Sequence, residues 1–163
     1  MKREIVLREG IMTDGLVEEM QNYYRPLPKG LDYVKFRQER WREKESIVVY
    51  SAEQNGETIG WVVYDPGKST VEELLVKPDL VQPETAWQLL DELVKQESLV
   101  AAETWQEDKA KQSAMIEYGF RPVRHFLQEG FSITKMELST QAYFRRLKEY
   151  KPVKEYSTRE RVA

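Results

Sequence analysis

The chain of 163 residues contains no Cys and one His, and its 25 Lys and Arg residues against 28 Asp and Glu residues leave a formal net charge of -3. A length of this order suits one domain with a sizeable core. The lack of Cys excludes disulfides, thiolate metal sites and a cysteine nucleophile, and a single His leaves little for zinc or triad chemistry. The slight acidic excess argues against nucleic-acid binding by bulk charge.

The sequence shows no apolar run near the ~18 residues that a membrane span requires. Its first residues, Met1-Lys2-Arg3-Glu4-Ile5, lack the apolar core of a signal peptide. We therefore expect a cytoplasmic protein without a membrane partner.

The first third of the chain predicts one strand and two helices. Residues 3–8 suit a short strand, and Thr13 is placed as the N-cap of a helix that follows. A second helix is predicted to begin near Asp32. Because acids and bases alternate along residues 33–45, we interpret that run as a solvated helix face rather than a polyanion site.

The middle of the chain predicts three consecutive strands. Residues 47–52 and 57–64 are rich in β-branched and aromatic residues and flank Asn55-Gly56. Asn-Gly suits a type I′ turn, in which both central residues have positive φ, so the two runs form a hairpin. Residues 69–76 make the third strand, so this part of the sheet is antiparallel.

The second half predicts two helices and three strands. An amphipathic stripe after Pro83 marks the first helix: Ala86, Leu89, Leu90, Leu93 and Val94. A strand over 99–102 follows, then a helix closed by Gly119, then strands over 120–126 and 131–138. The predicted class is therefore α/β (α+β): a mixed, mainly antiparallel sheet flanked by helices, in the order β-α-α-β-β-β-α-β-α-β-β.

Residues 140–163 differ in composition from the rest. Between residues 140 and 154 there are five basic residues and one acid, with Tyr143, Phe144 and Tyr150 among them. A terminal helix packed on the domain has this composition, and so does a segment that binds an acidic partner. We treat residues 140–163 as a basic and aromatic extension that could support a homodimer or a protein partner; nucleic acid is the least favoured partner.

Two segments resemble core motifs of a known superfamily: residues 71–78, which read VEELLVKP before a leucine-rich helix, and residues 117–120, which read EYGF. The superfamily is that of the GCN5-related N-acetyltransferases (GNAT). The resemblance is specific in residues from Val71 to Phe120, and it extends in element order over nearly the whole chain. It implies a GNAT-like domain over residues 1–139 that transfers an acetyl group from acetyl-CoA to the amine of a small molecule or peptide.

The resemblance also implies a set of acetyl-CoA contacts. The backbone of Leu74, Leu75 and Val76 would bind the acyl carbonyl and the pantetheine arm, and the pyrophosphate loop falls on residues 81–86. The second motif adds Asp108 and Met115. The implied loop contacts are Val81, Gln82, Glu84, Thr85 and Ala86.

The loop departs from the family pattern at three positions. Val81 replaces the usual cation, Pro83 has no N–H to donate, and Glu84 stands where the family has its first Gly. A carboxylate beside a phosphate is unfavourable, yet an acid in a first helical turn also complements the helix dipole. Glu84 therefore either weakens the cofactor site or simply rotates outward.

Glu72 matches the strand Glu of the first motif and is the first candidate for the general base; its alternative is an ordinary exposed carboxylate. Two-residue alternation places Glu73 on the opposite face of the strand, as a weaker candidate. In the family a Tyr acts as the general acid that protonates the leaving thiolate. Met115 occupies that position here and cannot donate a proton. Tyr118 lies three residues further and is either a substitute acid or a core residue. His125 is interpreted as a structural or exposed side chain.

Two classes of function follow from these residues. The first is an acetyl-CoA-dependent N-acetyltransferase, for which a thiolate leaving group without an acid is tolerable because a thiol pKa lies near about 8.5. The second is a non-catalytic binding or scaffold protein that keeps the fold and has lost acetyl-CoA binding.

Overall fold

The computed structural model describes residues 5–10, 12–77 and 83–150, without the side chains of Pro83 and residues 146–150. These residues form a seven-stranded sheet flanked by five helices, and the predicted element order is confirmed. The elements are β1 Val6–Gly10, α1 Asp14–Tyr24, α2 Gly30–Glu43, β2 Val48–Gln54, β3 Glu57–Asp65, β4 Thr70–Val76, α3 Pro83–Gln96, β5 Ala101–Trp105, α4 Lys109–Tyr118, β6 Phe120–Gln128, β7 Phe131–Leu138 and α5 Thr140–Tyr150.

Local signals in the sequence set several of these boundaries. The Thr13 hydroxyl accepts a hydrogen bond from the Leu16 N–H at 3.3 Å, as expected of an N-cap. Asn55 and Gly56 have φ values of 56° and 78°, which confirms the two positive φ angles predicted for the hairpin turn. Gly119 ends α4 with a φ of 131°.

The strand order is β1-β2-β3-β4-β5-β7-β6. All neighbouring pairs are antiparallel except β4 and β5, which are parallel. A parallel pair needs a crossover connection, and α3 supplies it. The mixed, mainly antiparallel sheet predicted from the sequence is therefore confirmed.

The sheet separates two buried clusters. The cluster on the α3 side is mostly aliphatic and includes Leu74, Leu89, Leu90, Leu93, Met115, Tyr118 and Ala142. The cluster on the side of α1 and α2 is largely aromatic and includes Tyr24, Tyr33, Phe36, Trp41, Trp61, Leu75 and Trp105. We call these two sides the α3 layer and the α1–α2 layer.

The helix α5 packs on the α3 layer. Ala142 is buried there and Tyr143 packs against the cluster, whereas Phe144 is exposed. A Cβ added at Gly119 would lie 2.5 Å from the Ala142 Cβ, so the glycine is what lets α5 approach so closely. The extension predicted over 140–163 thus begins with a docked helix, and residues 151–163 lie outside the described part.

A β-bulge interrupts the alternation of β4. Val63 of β3 pairs with Glu73 and Tyr64 pairs with Val71, so Glu72 is the extra residue. As a consequence Val71 and Leu74 face the α3 layer, while Leu75 faces the α1–α2 layer. The adjacent carboxylates of Glu72 and Glu73 are thereby brought to the same side of the sheet, where they contact α2 and α1.

None of the helices described is both long enough and apolar enough to cross a membrane.

Candidate functional site

The strands β4 and β5 pair over a short distance and then separate. Their parallel ladder consists of Thr70 opposite Ala101 and Val71 opposite Ala102. Beyond that point β4 stays paired with β3, and β5 stays paired with β7. The edges of Glu72–Val76 and Glu103–Trp105 therefore face each other without a ladder between them, which we call the β4–β5 opening.

Glu72 is 1% exposed at this opening. Its carboxylate accepts hydrogen bonds from the Arg40 Nε at 3.1 Å and from the Trp41 Nε1 at 3.0 Å, and the Arg37 Nη1 lies 3.6 Å away. Lys44 approaches within 3.9 Å. The first-ranked base candidate is thus surrounded by two guanidinium groups, an indole N–H and an ammonium group.

Arg37 contradicts the interpretation of residues 33–45 as a solvated face. Its side chain is fully buried and donates to the Glu103 Oε1 from both terminal nitrogens at 3.3 Å, and to the Tyr33 hydroxyl at 3.0 Å. Burial by itself would lower the pKa of the guanidinium, but Tyr33, Glu103 and Glu72 outweigh it, so the pKa lies above its ordinary value. Arg37 is therefore a fixed charge that joins α2 to β4 and β5.

Glu73 lies on the same side of the sheet as Glu72, so the prediction from two-residue alternation is wrong. The bulge at Glu72 is the physical reason, since one extra residue shifts every following side chain by one position. The Tyr24 hydroxyl donates to the Glu73 Oε2 at 2.8 Å, and the Lys111 Nζ donates to the Glu73 Oε1. The Leu74 N–H also donates to the Glu73 Oε1, at 3.2 Å.

Lys111 extends from the first turn of α4 to the α1–α2 layer. Its ammonium group donates to the Tyr24 hydroxyl at 2.8 Å and lies 3.5 Å from the Asp108 Oδ2. Burial would lower its pKa, but the charges of Glu73 and Asp108 raise it above the ordinary value. Burial, with the charge of Glu73 next in size, likewise holds the pKa of the Tyr24 hydroxyl well above its usual range.

Asp108 is the N-cap of α4, and its Oδ1 accepts from the Lys111 N–H at 3.2 Å and from the Tyr23 hydroxyl at 2.9 Å. Its Oδ2 is buried and accepts no hydrogen bond from the described residues. The resemblance placed Asp108 among the cofactor contacts; its position next to the opening is compatible with a ligand contact, which stays a prediction.

Tyr118 and Met115 lie in the α3 layer. Tyr118 is fully buried, and its hydroxyl donates to the Asp91 Oδ1 at 2.6 Å. Met115 is buried in the same aliphatic cluster. Since Glu72 makes its contacts in the α1–α2 layer, the structure does not bring Glu72 and Tyr118 together as a base and an acid.

The predicted pyrophosphate contacts lie at the start of α3. Glu84 is exposed in the first turn, and Thr85 and Ala86 are half-buried beside it. Val81 and Gln82 fall outside the described residues. Of the predicted strand contacts, Leu74 and Leu75 are buried and Val76 is half-buried, so their side chains fill the two clusters and only their backbone is available to a ligand.

A second buried group near the opening, besides the Asp108 Oδ2, has no hydrogen-bond partner among the described residues. The Thr104 Oγ1 on β5 is buried and makes no hydrogen bond to any described residue. Thr104 lies two residues after Ala102, whose side chain is in the α3 layer, so the two share a face of β5. A buried hydroxyl without a partner costs free energy, and a polar ligand in the opening would supply the missing bond.

His125 is exposed on β6, and its Nδ1 lies 2.9 Å from the Thr134 hydroxyl. This placement agrees with a structural role. Within the described residues no group of His, Asp and Glu side chains is arranged to hold a metal ion.

Sequence patterns did not reveal Arg37, Lys111, Tyr23 or Tyr24 as members of the site. The signal that was available is the pair Glu72-Glu73 inside an otherwise apolar strand. Two carboxylates in a buried strand require cations close by, and helical residues distant in sequence supply them.

No family model and no curated protein matches this chain. Solved structures do match: a chimera of the spermidine N-acetyltransferase of Vibrio cholerae and hSSAT has a TM-score of 0.56 at 15% identity, over 86% of this chain and 98% of that one. A GNAT-family acetyltransferase of Elizabethkingia anophelis with acetyl-CoA bound has a TM-score of 0.56 at 15% identity, over 85% and 99%. An uncharacterised protein of Bacillus halodurans has a TM-score of 0.63 at 15% identity, over 88% of each chain.

The similarity defines the fold as one of the mixed α/β folds used by acetyltransferases. Specifically, the chain has the GNAT fold that its motifs around residues 71–78 and 117–120 predicted. Identities near 15% carry the fold alone, because one fold can support unrelated functions.

Proposed function

We propose that this protein is an acetyl-CoA-dependent N-acetyltransferase that acts on an amine of a small molecule or peptide. The observation that carries the proposal is the β4–β5 opening, where the ladder ends after Val71 and Ala102. The Leu74 N–H there donates to the Glu73 carboxylate, and the Thr104 hydroxyl makes no hydrogen bond within the described part of the chain. Such groups fit the amide and carbonyl groups of an acylated pantetheine arm.

Acetyl-CoA, when bound, supplies the activated acyl group. The chain must bind the acceptor, accept one of its protons and exclude water from the opening. Glu73 suits the proton-accepting role, because two of its three partners, the Lys111 ammonium group and the Tyr24 hydroxyl, can be replaced by an incoming amine, while the Leu74 N–H is the third. Glu72 is the alternative suggested by the motif, but taking a proton would cost it charge-assisted bonds to Arg40 and Trp41.

The acid of the reaction has no side chain assigned to it. Tyr118 is committed to Asp91 in the other layer, and Met115 has no proton to give. A thiolate with a pKa near about 8.5 can leave without a proton donor, so the proposal does not require one. The exposed position of Glu84 lets its carboxylate point to water, away from the amides at the start of α3.

Calorimetric binding of acetyl-CoA and release of free thiol in a panel of amines test the proposal. The wild-type protein is expected to bind acetyl-CoA and to release thiol with at least one amine. The variant Glu73→Gln should keep binding and lose about 100-fold or more in kcat, the usual contribution of a general base.

Glu72→Gln is the matched comparison, and Glu107→Gln, at an exposed position before α4, is the neutral control. If Glu72→Gln removes activity while Glu73→Gln retains it in a folded protein, the proton acceptor is Glu72. If the wild-type protein binds no acetyl-CoA at millimolar concentration, the proposed function is wrong.

A non-catalytic binding protein is the second candidate. One observation favours it: the Leu74 N–H, a backbone donor at the opening, already donates to the Glu73 carboxylate. The Glu84 carboxylate at the start of α3 also opposes a phosphate. The two candidates separate in the binding measurement, because only the enzyme requires acetyl-CoA to displace the Leu74–Glu73 bond.

A further inference from the structure

The Lys111 ammonium group occupies a site that is built for an ammonium ion. A primary ammonium has three N–H donors. Three oxygen atoms surround this one: the Glu73 Oε1, the Tyr24 hydroxyl at 2.8 Å and the Asp108 Oδ2 at 3.5 Å. The nitrogen also lies 4.7 Å from the ring centre of Tyr23 and 5.1 Å from that of Tyr24, within the range of cation–π contacts.

Two observations show that Lys111 does not use the whole site. Asp108 is 3% exposed, and its Oδ2 faces the ammonium group without forming a hydrogen bond. The two carboxylates of Glu73 and Asp108 carry together one more negative charge than Lys111 neutralises. The site therefore still attracts a cation when the lysine is in place.

Lys111 also differs from Glu73 and Asp108 in how firmly its charged group is held. Its ammonium group is at the end of a flexible four-carbon stem, and its side chain is 9% exposed. Glu73 is instead on a central strand, and Asp108 is held by its cap bonds. The lysine side chain can therefore leave the site without moving a backbone element.

We propose that Tyr23, Tyr24, Glu73 and Asp108 form a binding site for a primary alkylammonium ligand, and that Lys111 is an internal occupant which the ligand displaces. The site discriminates by geometry, because three oxygen acceptors match three N–H donors and a quaternary ammonium offers none. Glu73 lies at the β4–β5 opening. If the proposed function holds, this inference deepens it, since the acceptor ammonium would then enter beside the carboxylate that takes its proton.

The test uses Lys111→Ala and n-propylammonium, which replaces the atoms that the substitution removes. Calorimetry without acetyl-CoA should show n-propylammonium binding to this variant, and the ligand should raise its Tm. The wild-type protein should bind the same ion at least ~10-fold more weakly, which corresponds to about 1.4 kcal/mol. Neutral n-propanol and tetramethylammonium should not bind either protein.

Two further variants test whether the cavity and the Asp108 carboxylate bind the ammonium ion. Lys111→Met retains the apolar stem and lacks the charge, so it should bind n-propylammonium less well than Lys111→Ala. Asp108→Asn in the Lys111→Ala background should weaken binding again. If Lys111→Ala is unfolded by circular dichroism, recovery of folding in n-propylammonium supports the site, and no recovery overturns it.

Equal binding to wild type and Lys111→Ala, or no binding to a folded Lys111→Ala, would also overturn the inference. These outcomes are independent of acetyl-CoA, because no acyl donor is present. Failure of the proposed enzyme would instead appear as a lack of acetyl-CoA binding, with ammonium binding unchanged.

Discussion

The α3 layer and the α1–α2 layer are stabilised in different ways. Leu89, Leu90 and Leu93 of α3 fill the first with aliphatic contacts that any similar side chain could make. The second buries Arg37 and Glu72 among aromatic rings, where each charge depends on a particular partner. The side of the sheet with α1 and α2 therefore holds the paired charges that lie next to the β4–β5 opening, whereas the α3 side is held mainly by aliphatic packing.

The largest effect is expected from Arg37→Met. The substitution leaves the carboxylates of Glu72 and Glu103 buried without this guanidinium, and breaking a buried pair in this way costs about 3–5 kcal/mol of unfolding free energy. Urea denaturation measures the loss. Adding Glu103→Gln should recover part of it, whereas the exposed Lys35→Met in the same helix should change the free energy by less than ~0.5 kcal/mol. A single-variant loss below that control value would show that the charges of the α1–α2 layer are not interdependent.

Leu90→Ala measures the contribution of aliphatic packing in the α3 layer. Leu90 is fully buried in the α3 layer, so its truncation should cost about 3 kcal/mol through lost burial and a residual cavity. This loss should be the same at neutral and alkaline pH, because no titratable group is altered. A loss of free energy that varied with pH would contradict the division into an apolar α3 layer and a charged α1–α2 layer.

At alkaline pH the unfolding free energy should depend on the titratable groups of the α1–α2 layer. Burial raises the pKa of Tyr33 to about 12, with Arg37 opposing the rise, and the pKa values of Tyr24 and Lys111 also lie above their ordinary ones. Above about pH 10 the unfolded chain therefore releases protons that the folded chain keeps, so the unfolding free energy falls as pH rises.

Lys111→Met removes one of these protons and should flatten that fall by about 1.4 kcal/mol per pH unit. The comparison is with Lys109→Met, whose lysine is exposed at the start of α4 and which should leave the slope unchanged. Identical slopes for the two variants would mean that the Lys111 ammonium is not held by the folded protein.

The smallest effect is expected from Thr104→Val. Since the Thr104 hydroxyl is buried and no described residue bonds it, its removal should leave the unfolding free energy unchanged or raise it by up to about 1 kcal/mol. The same variant should weaken acetyl-CoA binding if the ligand bonds this hydroxyl. A destabilisation of more than ~1.5 kcal/mol in urea would show that the hydroxyl is bonded within the protein.

The sequence predicted the fold well where periodicity and turn chemistry apply. The stripe of α3 and the Asn55-Gly56 turn each depend on neighbours within a few residues, and both agree with the structure. The site was harder, because its contacts join residues far apart in the chain. Arg37 meets Glu103 across 66 positions, and Lys111 meets Glu73 across 38.

Two particular errors share one cause. The strand β5 was predicted over residues 99–102, yet it extends to Trp105 and buries Glu103, whose charge Arg37 neutralises. Glu73 was placed on the wrong face because a one-residue bulge leaves no sign in the side-chain pattern when both residues are Glu. The burial of a charged residue cannot be predicted from the sequence until the residue that neutralises it is known.

Hydrogen–deuterium exchange of β4 with and without acetyl-CoA tests the central claim most directly. If the β4–β5 opening binds acetyl-CoA, the amides of residues 72–76 should exchange more slowly in its presence. Those of the Asn55-Gly56 turn should not change, since that turn lies away from the opening. Unchanged exchange over residues 72–76 at an acetyl-CoA concentration that saturates the protein by calorimetry, or no binding at all, would contradict the assignment of this opening as the acyl-donor site.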